Sequence, residues 1–364
     1  MAPAQPTPAA PAKAKLIQHQ FIDSFATQQL LPPNEALGVI VTAFVFRLAP
    51  PVIQAYCDRF FNLGDPARRK FHYTAFPAAP FGILALTQHP DISSLDPQSP
   101  TSLGWSGRQW DHLAENELFA GVPITRYRLV DGSVLVDPVI QWMQPFTVLD
   151  NATSAFSARE VLGTETLYGE IEVGIDPSAF SAKISIPSWK VFAPNSEQTM
   201  SPFVDIQTGP ALTSGQGEAA AKALADDGTA ELLKELEAAI PNLEGFAGGV
   251  FPAAMETVIL KQFRDAGNPT KAVYQSLVGA QSHYSNVRNV KTYDPAACVI
   301  SFTGGAMVDE IISTFLDLHQ LKPNEPSMIA GAAGKGTLLP VTMGFSFTAD
   351  LEFGDVATLH DFLD

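Results

Sequence analysis

Apolar residues in this chain fall into short runs and alternations more often than into helical spacing. Residues 36 to 46, ALGVIVTAFVF, are β-branched and aromatic and read as a buried strand. Pro50 and Pro51 then open a predicted helix, Val52 to Phe61, because proline near the first helical position gives up no intrahelical hydrogen bond. Residues 75 to 110 are rich in Pro, Ser and Gly and are expected to be mainly loop. From 115 onward strands dominate. The sequence RYRLV-DG-SVLV sets Asp131-Gly132 between alternating residues, a hairpin signal. Further strands are predicted at Phe146 to Leu149, Tyr168 to Ile175, Lys183 to Phe192, Val258 to Arg264, Cys298 to Phe302 and Val341 to Phe353. Asn151 should cap a short helix through Glu160, and Ala272 to Leu277 and Val308 to Leu318 read as helical. No internal repeat is present.

Two stretches stand apart. Residues 1 to 20 begin with a Pro/Ala-rich segment lacking an apolar core, which predicts a disordered tail rather than a signal peptide. Residues 207 to 247 turn to Ala, Glu and Lys and predict a solvated helical insert. Residues 21 to 364 are then expected to form a single domain of mainly β (α+β) class.

Composition narrows the partners. A net charge of −16 with no basic run argues against nucleic acid and against an anionic membrane surface. The longest apolar run is far shorter than the ~20 residues that span a bilayer. With 46% hydrophobic and only 16% charged residues, the chain is expected to be compact and homo-oligomeric. The 2 cysteines, Cys57 and Cys298, have no metal-binding or redox spacing, and the expected location is the cytoplasm.

Three segments carry a family signal. The first is Ala43-Phe-Val-Phe-Arg47-Leu-Ala-Pro-Pro-Val-Ile. The second is Glu117-Leu-Phe-Ala-Gly-Val-Pro123-Ile. The third joins Leu149-Asp150-Asn151 to Arg159-Glu160, 8 residues after Asn151. Together they resemble the acetoacetate decarboxylase family, with its strand ending in arginine, its Glu–Pro spacing and its D-N…R-E motif. The resemblance covers about residues 38 to 192 and 250 to 354. It implies a closed antiparallel β-barrel with peripheral helices, a small carboxylic acid as substrate or ligand, and no cofactor.

The same alignment exposes a departure. Where the family has a Schiff-base lysine followed by a second lysine, this chain has Thr166 and Leu167, with glycine returning at Gly169. A threonine hydroxyl forms no iminium, so the family's route through a lysine of lowered pKa is closed at this position.

The resemblance assigns a pocket to Arg47, as a carboxylate clamp, and to Glu117, as a general acid or base. Strand-end pairing and an outward-facing carboxylate are the plain alternatives. Thr166, Tyr168 and Arg159 are the candidate substrate-binding residues, although Thr166 and Tyr168 also fit simple packing. Lys261 is the one plausible replacement lysine, and it too fits a solvent-facing strand position. His112, Glu115 and Glu117 do not share one strand face and are not expected to hold a metal. His89 and His283 read as isolated. Gly331-Ala-Ala-Gly-Lys335-Gly-Thr337 lacks the spacing of a phosphate loop. The expected chemistry is lyase-like dehydration, enolisation or cyclisation of an oxo- or unsaturated carboxylic acid. A non-catalytic ligand-binding barrel and a decarboxylase using Lys261 remain as alternatives.

Overall fold

The computed structural model describes residues 30–66, 68–76, 81–94, 113–130, 134–176, 178–189, 193–212, 254–303 and 337–361. In chain order these form β1 (Asn34–Arg47), α1 (Pro50–Phe60), β2 (Phe71–Ala75), β3 (Phe81–Ser94), β4 (Leu113–Val130), β5 (Val134–Met143) and β6 (Thr147–Leu149). Helix α2 (Ala152–Ser157) runs into a π turn, Ala158–Leu162, followed by β7 (Thr166–Tyr168), β8 (Glu170–Val173), β9 (Ala179–Ser188) and β10 (Thr199–Pro210). Then come β11 (Ala254–Arg264), β12 (Ala272–Tyr293), a 3₁₀ turn at Pro295–Ala297, β13 (Val299–Phe302), β14 (Thr337–Leu338) and β15 (Val341–Asp361).

Two sheets hold the strands. The larger has ten, in the order β3-β1-β15-β12-β11-β5-β4-β6-β7, with β2 on β4. Strand β3 also pairs with β4, so the ladder returns to its start through seven strands. Nearly all pairs are antiparallel, but β11–β5 and β6–β7 run parallel, against the expectation of a purely antiparallel arrangement. The smaller sheet has the order β14-β13-β10-β9-β8.

The alternation of β1 explains its unbroken apolar run. Val41, Ala43 and Val45 join Ile83, Phe119, Trp142, Phe345 and Phe347 in a cluster supplied by all seven strands of the returning ladder. Phe44 and Phe46 face the other way, toward Leu84, Leu118, Ile184, Phe203 and Phe302, a cluster that both sheets share. A strand covered on both faces has no polar side to show. Helix α1 starts with proline as expected and buries Val52, together with Ile53, Tyr56 and Cys57 of the shared cluster.

Three expectations are corrected. Residues 81 to 94 are a 14-residue strand rather than loop. Pro90 misled because its missing N–H suggests a break, yet it is exposed beside a register shift in the β3–β4 ladder, where no bond is lost. Ala272 to Leu277 is strand, since Leu277 and Ser276 are paired with Leu260 and Lys261, and pairing overrides the local spacing. The predicted insert starts too early: residues 207–210 belong to β10, where Gln207 pairs with Ser181. Residues 213–247, Val308 to Leu318 and residues 1–29 lie outside the described residues. No helix among the described residues is long and apolar enough to cross a membrane.

Candidate functional site

The β3–β4 ladder sets His89 opposite Glu115 and Thr87 opposite Glu117. Residues two apart on a strand share a face, so these four side chains continue the row of Ile83, Ala85 and Phe119. Thr87 Oγ1 donates to Glu117 Oε2 at 3.2 Å. The 2.9 Å contact between His89 Nε2 and Thr87 Oγ1 is then donated by the imidazole, and Nε2 also lies 3.5 Å from Glu117 Oε2. A chain from imidazole through hydroxyl to carboxylate results.

The D-N motif builds the far wall. Asp150 accepts from the backbone N–H of Asn116 and from its Nδ2, both at 2.7 Å, which fixes the strand residue between Glu115 and Glu117. Asn151 caps α2, accepting from Thr153 N at 3.0 Å and Ser154 N at 3.3 Å, the end expected of a short polar residue before a helix. That cap sets Ser154 and Ser157 on the buried side of α2. The π turn ends at Gly163, in the left-handed region at φ 84, where a β-carbon would lie 2.5 Å from Lys261 Cα. Only glycine lets this segment lie so close to β11.

Between these elements is a cavity of about 140 Å³ where β1 begins, β3 ends and β4 begins. Its polar wall includes His89, Glu115, Glu117, Ser154, Ser157, Glu35 and Asn34; its apolar wall includes Ile92, Leu149, Leu162 and Phe353. Three buried polar atoms of that wall make no hydrogen bond: His89 Nδ1, Glu115 Oε2 and Ser154 Oγ. Each unmet group of this kind costs roughly 1–3 kcal/mol. All three residues line the one cavity, with those atoms on its buried side.

The Glu115 side chain as a whole is partly exposed, but Oε2 is sealed from solvent. Burial therefore pushes its carboxyl from 4.5 up to about 7, with Glu117 and Asp150 adding to the rise. His89 opposes it, as does the Ser154 hydroxyl, which approaches without completing a hydrogen bond of good geometry. Burial and then Glu117 also push the Tyr284 phenol above its ordinary value.

The predicted site residues scatter around this cavity. Glu117 lines it. Arg47 does not: it pairs with Phe81, whereas Glu117 is level with Thr87 and, through it, Val41. Positions 41 and 47 lie six residues apart along β1, about 20 Å, so the structure does not bring Arg47 and Glu117 together. Arg159 is exposed on the π turn. Thr166 is buried, with its hydroxyl 2.6 Å from that of Thr164, and Tyr168 is 45% exposed; neither lines the cavity. Lys261 donates from Nζ to the carbonyl of Val161 at 2.8 Å, with Nζ 5.6 Å from the Phe263 ring centre. Burial lowers its pKa, with Glu160 opposing.

Sequence reasoning missed His89, Glu115 and Ser154. His89 is not isolated, since it meets Thr87 and Glu117. The Glu115–Glu117 spacing on a strand was a usable signal for two carboxylates on one face. Nothing local marked His89, because its strand was hidden behind Pro90.

No family profile matches this sequence, and no curated protein does. Among solved structures, acetoacetate decarboxylase from Legionella pneumophila subsp. pneumophila str. Philadelphia 1 is similar at 10% identity and TM-score 0.49, over 92% of this chain and 89% of that one. A second acetoacetate decarboxylase structure is similar at 10% identity and TM-score 0.49, over 93% of each chain. The enduracididine biosynthesis enzyme MppR with HEPES buffer bound is similar at 11% identity and TM-score 0.46, over 92% of this chain and 90% of that one.

Proposed function

We propose that this chain is a small-molecule enzyme that works by acid–base chemistry, without a Schiff base, on a small oxo- or unsaturated carboxylic acid in the Glu115–Glu117–His89 cavity. The observation that carries the reading is the pair of carboxylates in unlike surroundings. Glu117 accepts from Thr87 and lies beside His89, whereas Glu115 Oε2 is sealed, unpartnered and titrates near 7. Two carboxyls in unlike surroundings can divide the work of base and acid.

In this scheme the Glu117 carboxylate takes the proton from the carbon next to a carbonyl. The Glu115 carboxyl gives its proton to the carbonyl oxygen, and the product is an enol. For a β-hydroxy acid the same two transfers expel the hydroxyl as water and leave a carbon–carbon double bond. His89, hydrogen-bonded to Thr87 beside Glu117, is placed to exchange the abstracted proton. The returning ladder through β3 and β4 supports reading the seven strands as a closed barrel around this chemistry.

The test is deuterium uptake from D₂O into 2-oxobutanoate, followed by proton NMR. Wild type should exchange faster than buffer, and Glu117→Gln should lose roughly 10²-fold or more of that rate while binding the acid within a few-fold. Saturable binding of 2-oxobutanoate and crotonate with no exchange or hydration above the solution rate would make the cavity a container and sink the enzyme reading.

A further inference from the structure

The cavity wall poses a problem for any acid that enters it. Glu115, Glu117 and Glu35 all line it, and among the described residues no lysine or arginine does. An anionic carboxylate placed there would face like charges with no cation to offset them. Yet the wall also offers three buried polar atoms without a partner, on His89, Glu115 and Ser154, and His89 and Ser154 are only 5% and 4% exposed.

We infer that the cavity takes a carboxylic acid together with one proton, held between a ligand oxygen and the Glu115 carboxyl as a carboxyl–carboxylate hydrogen bond, with Ser154 Oγ as the second donor; this is the same proton that Glu115 passes to the carbonyl oxygen in turnover. This rests on the reading of the cavity as a small-acid site and adds how the acid group is recognised. The proton comes from solvent; no other bond forms or breaks. The pair behaves as two carboxyls sharing one proton, an arrangement that removes the repulsion a second full charge would create.

The groups around Glu115 are consistent with this. His89 faces it from β3, Glu117 from β4, Asp150 from the turn after β6 and Ser154 from α2. Glu35 lines the cavity from β1, and the β15 wall contributes Leu351 and Phe353. Glu117, Glu35 and His89 are the other lining groups able to carry the extra proton, and the Glu115→Gln variant separates them from Glu115.

Titration calorimetry with crotonate and with the neutral crotonamide, in two buffers of different ionisation enthalpy, decides the matter. It is done on Glu117→Gln as well as wild type, so that the outcome does not depend on turnover. Crotonate binding should take up close to one proton above pH 7 and weaken by about tenfold per pH unit there, while crotonamide binding should stay nearly constant. Glu115→Gln, which donates a hydrogen bond at every pH, should bind crotonate without proton uptake; a thermal melt confirms that the variant is folded. Crotonate binding of equal strength at pH 6 and 8.5 in wild type overturns the inference and leaves the acid–base reading standing. Proton uptake that survives in folded Glu115→Gln moves the proton to another group of the wall and overturns the assignment. Crotonate that fails to bind at pH 5.5 overturns it too.

Discussion

Asp150 holds Asn116 with both carboxylate oxygens, one on the backbone N–H and one on Nδ2, each at 2.7 Å. Asn116 is the residue between Glu115 and Glu117, so this grip fixes which face of β4 the two glutamates occupy. The next residue, Asn151, starts α2 and thereby places Ser154. The most specific motif in the sequence is therefore scaffolding: it aims the chemical groups without joining them.

Removing that grip should be costly. Asp150→Ala leaves the Asn116 N–H without its charged partner, and hydrogen bonds to charged groups are worth roughly 1.5–3 kcal/mol. Urea denaturation should show a loss in that range, and exchange activity should fall as Glu115 and Glu117 lose their alignment. A stability change below about 0.5 kcal/mol would mean that the strand is fixed by other contacts.

Stability should fall as pH rises toward neutrality. The folded protein holds the Glu115 proton up to about 7, whereas an exposed carboxyl releases it near 4.5. Between those values the native state carries more protons than the unfolded one, so unfolding free energy declines with pH across the window and levels off above it. The sign is opposite to that of an ion-paired carboxylate. Glu115→Gln should flatten this part of the stability–pH curve, with an effect at pH 8 on the order of 3 kcal/mol at most. Urea midpoints measured from pH 4.5 to 8 on both proteins would reveal it.

Lys261 should remain unmodified when the protein is treated with acetoacetate and borohydride. Its Nζ is engaged with the Val161 carbonyl, and Thr166 offers only a hydroxyl bound to that of Thr164. Intact mass should not change, because without an iminium there is nothing for borohydride to trap. A reduced adduct on Lys261 would replace acid–base chemistry with amine catalysis. Burial already lowers the pKa of this amine, and Val161 adjoins the cavity residue Leu162, so Lys261 is the lysine to inspect.

The β-rich class, the buried character of β1, the proline-led start of α1, the antiparallel pairing of β4 with β5 and the cap at Asn151 were all legible in the sequence, the Asp131-Gly132 turn itself lying outside the described residues. Each of these is set by a few neighbouring residues, through pleat alternation, a fixed proline φ or a short polar side chain, so it can be read locally. Glu117 was legible for a different reason, its spacing to Pro123 within a resembling segment. Which of the chemical residues meet is settled by the assembled sheets. Arg47 and Glu117 look like partners on paper, but β1 and β4 are joined through β3, and that register separates them along the strands. His89 and Glu115 lie 26 residues apart in the chain (89 to 115) and become opposite residues because β3 and β4 pair. Cross-strand register is a non-local quantity: it depends on bulges such as the one beside Pro90 and on both faces of β3 being packed. The meeting of His89, Glu115 and Glu117 follows from that one pairing, and the cap at Asn151 brings Ser154 to them.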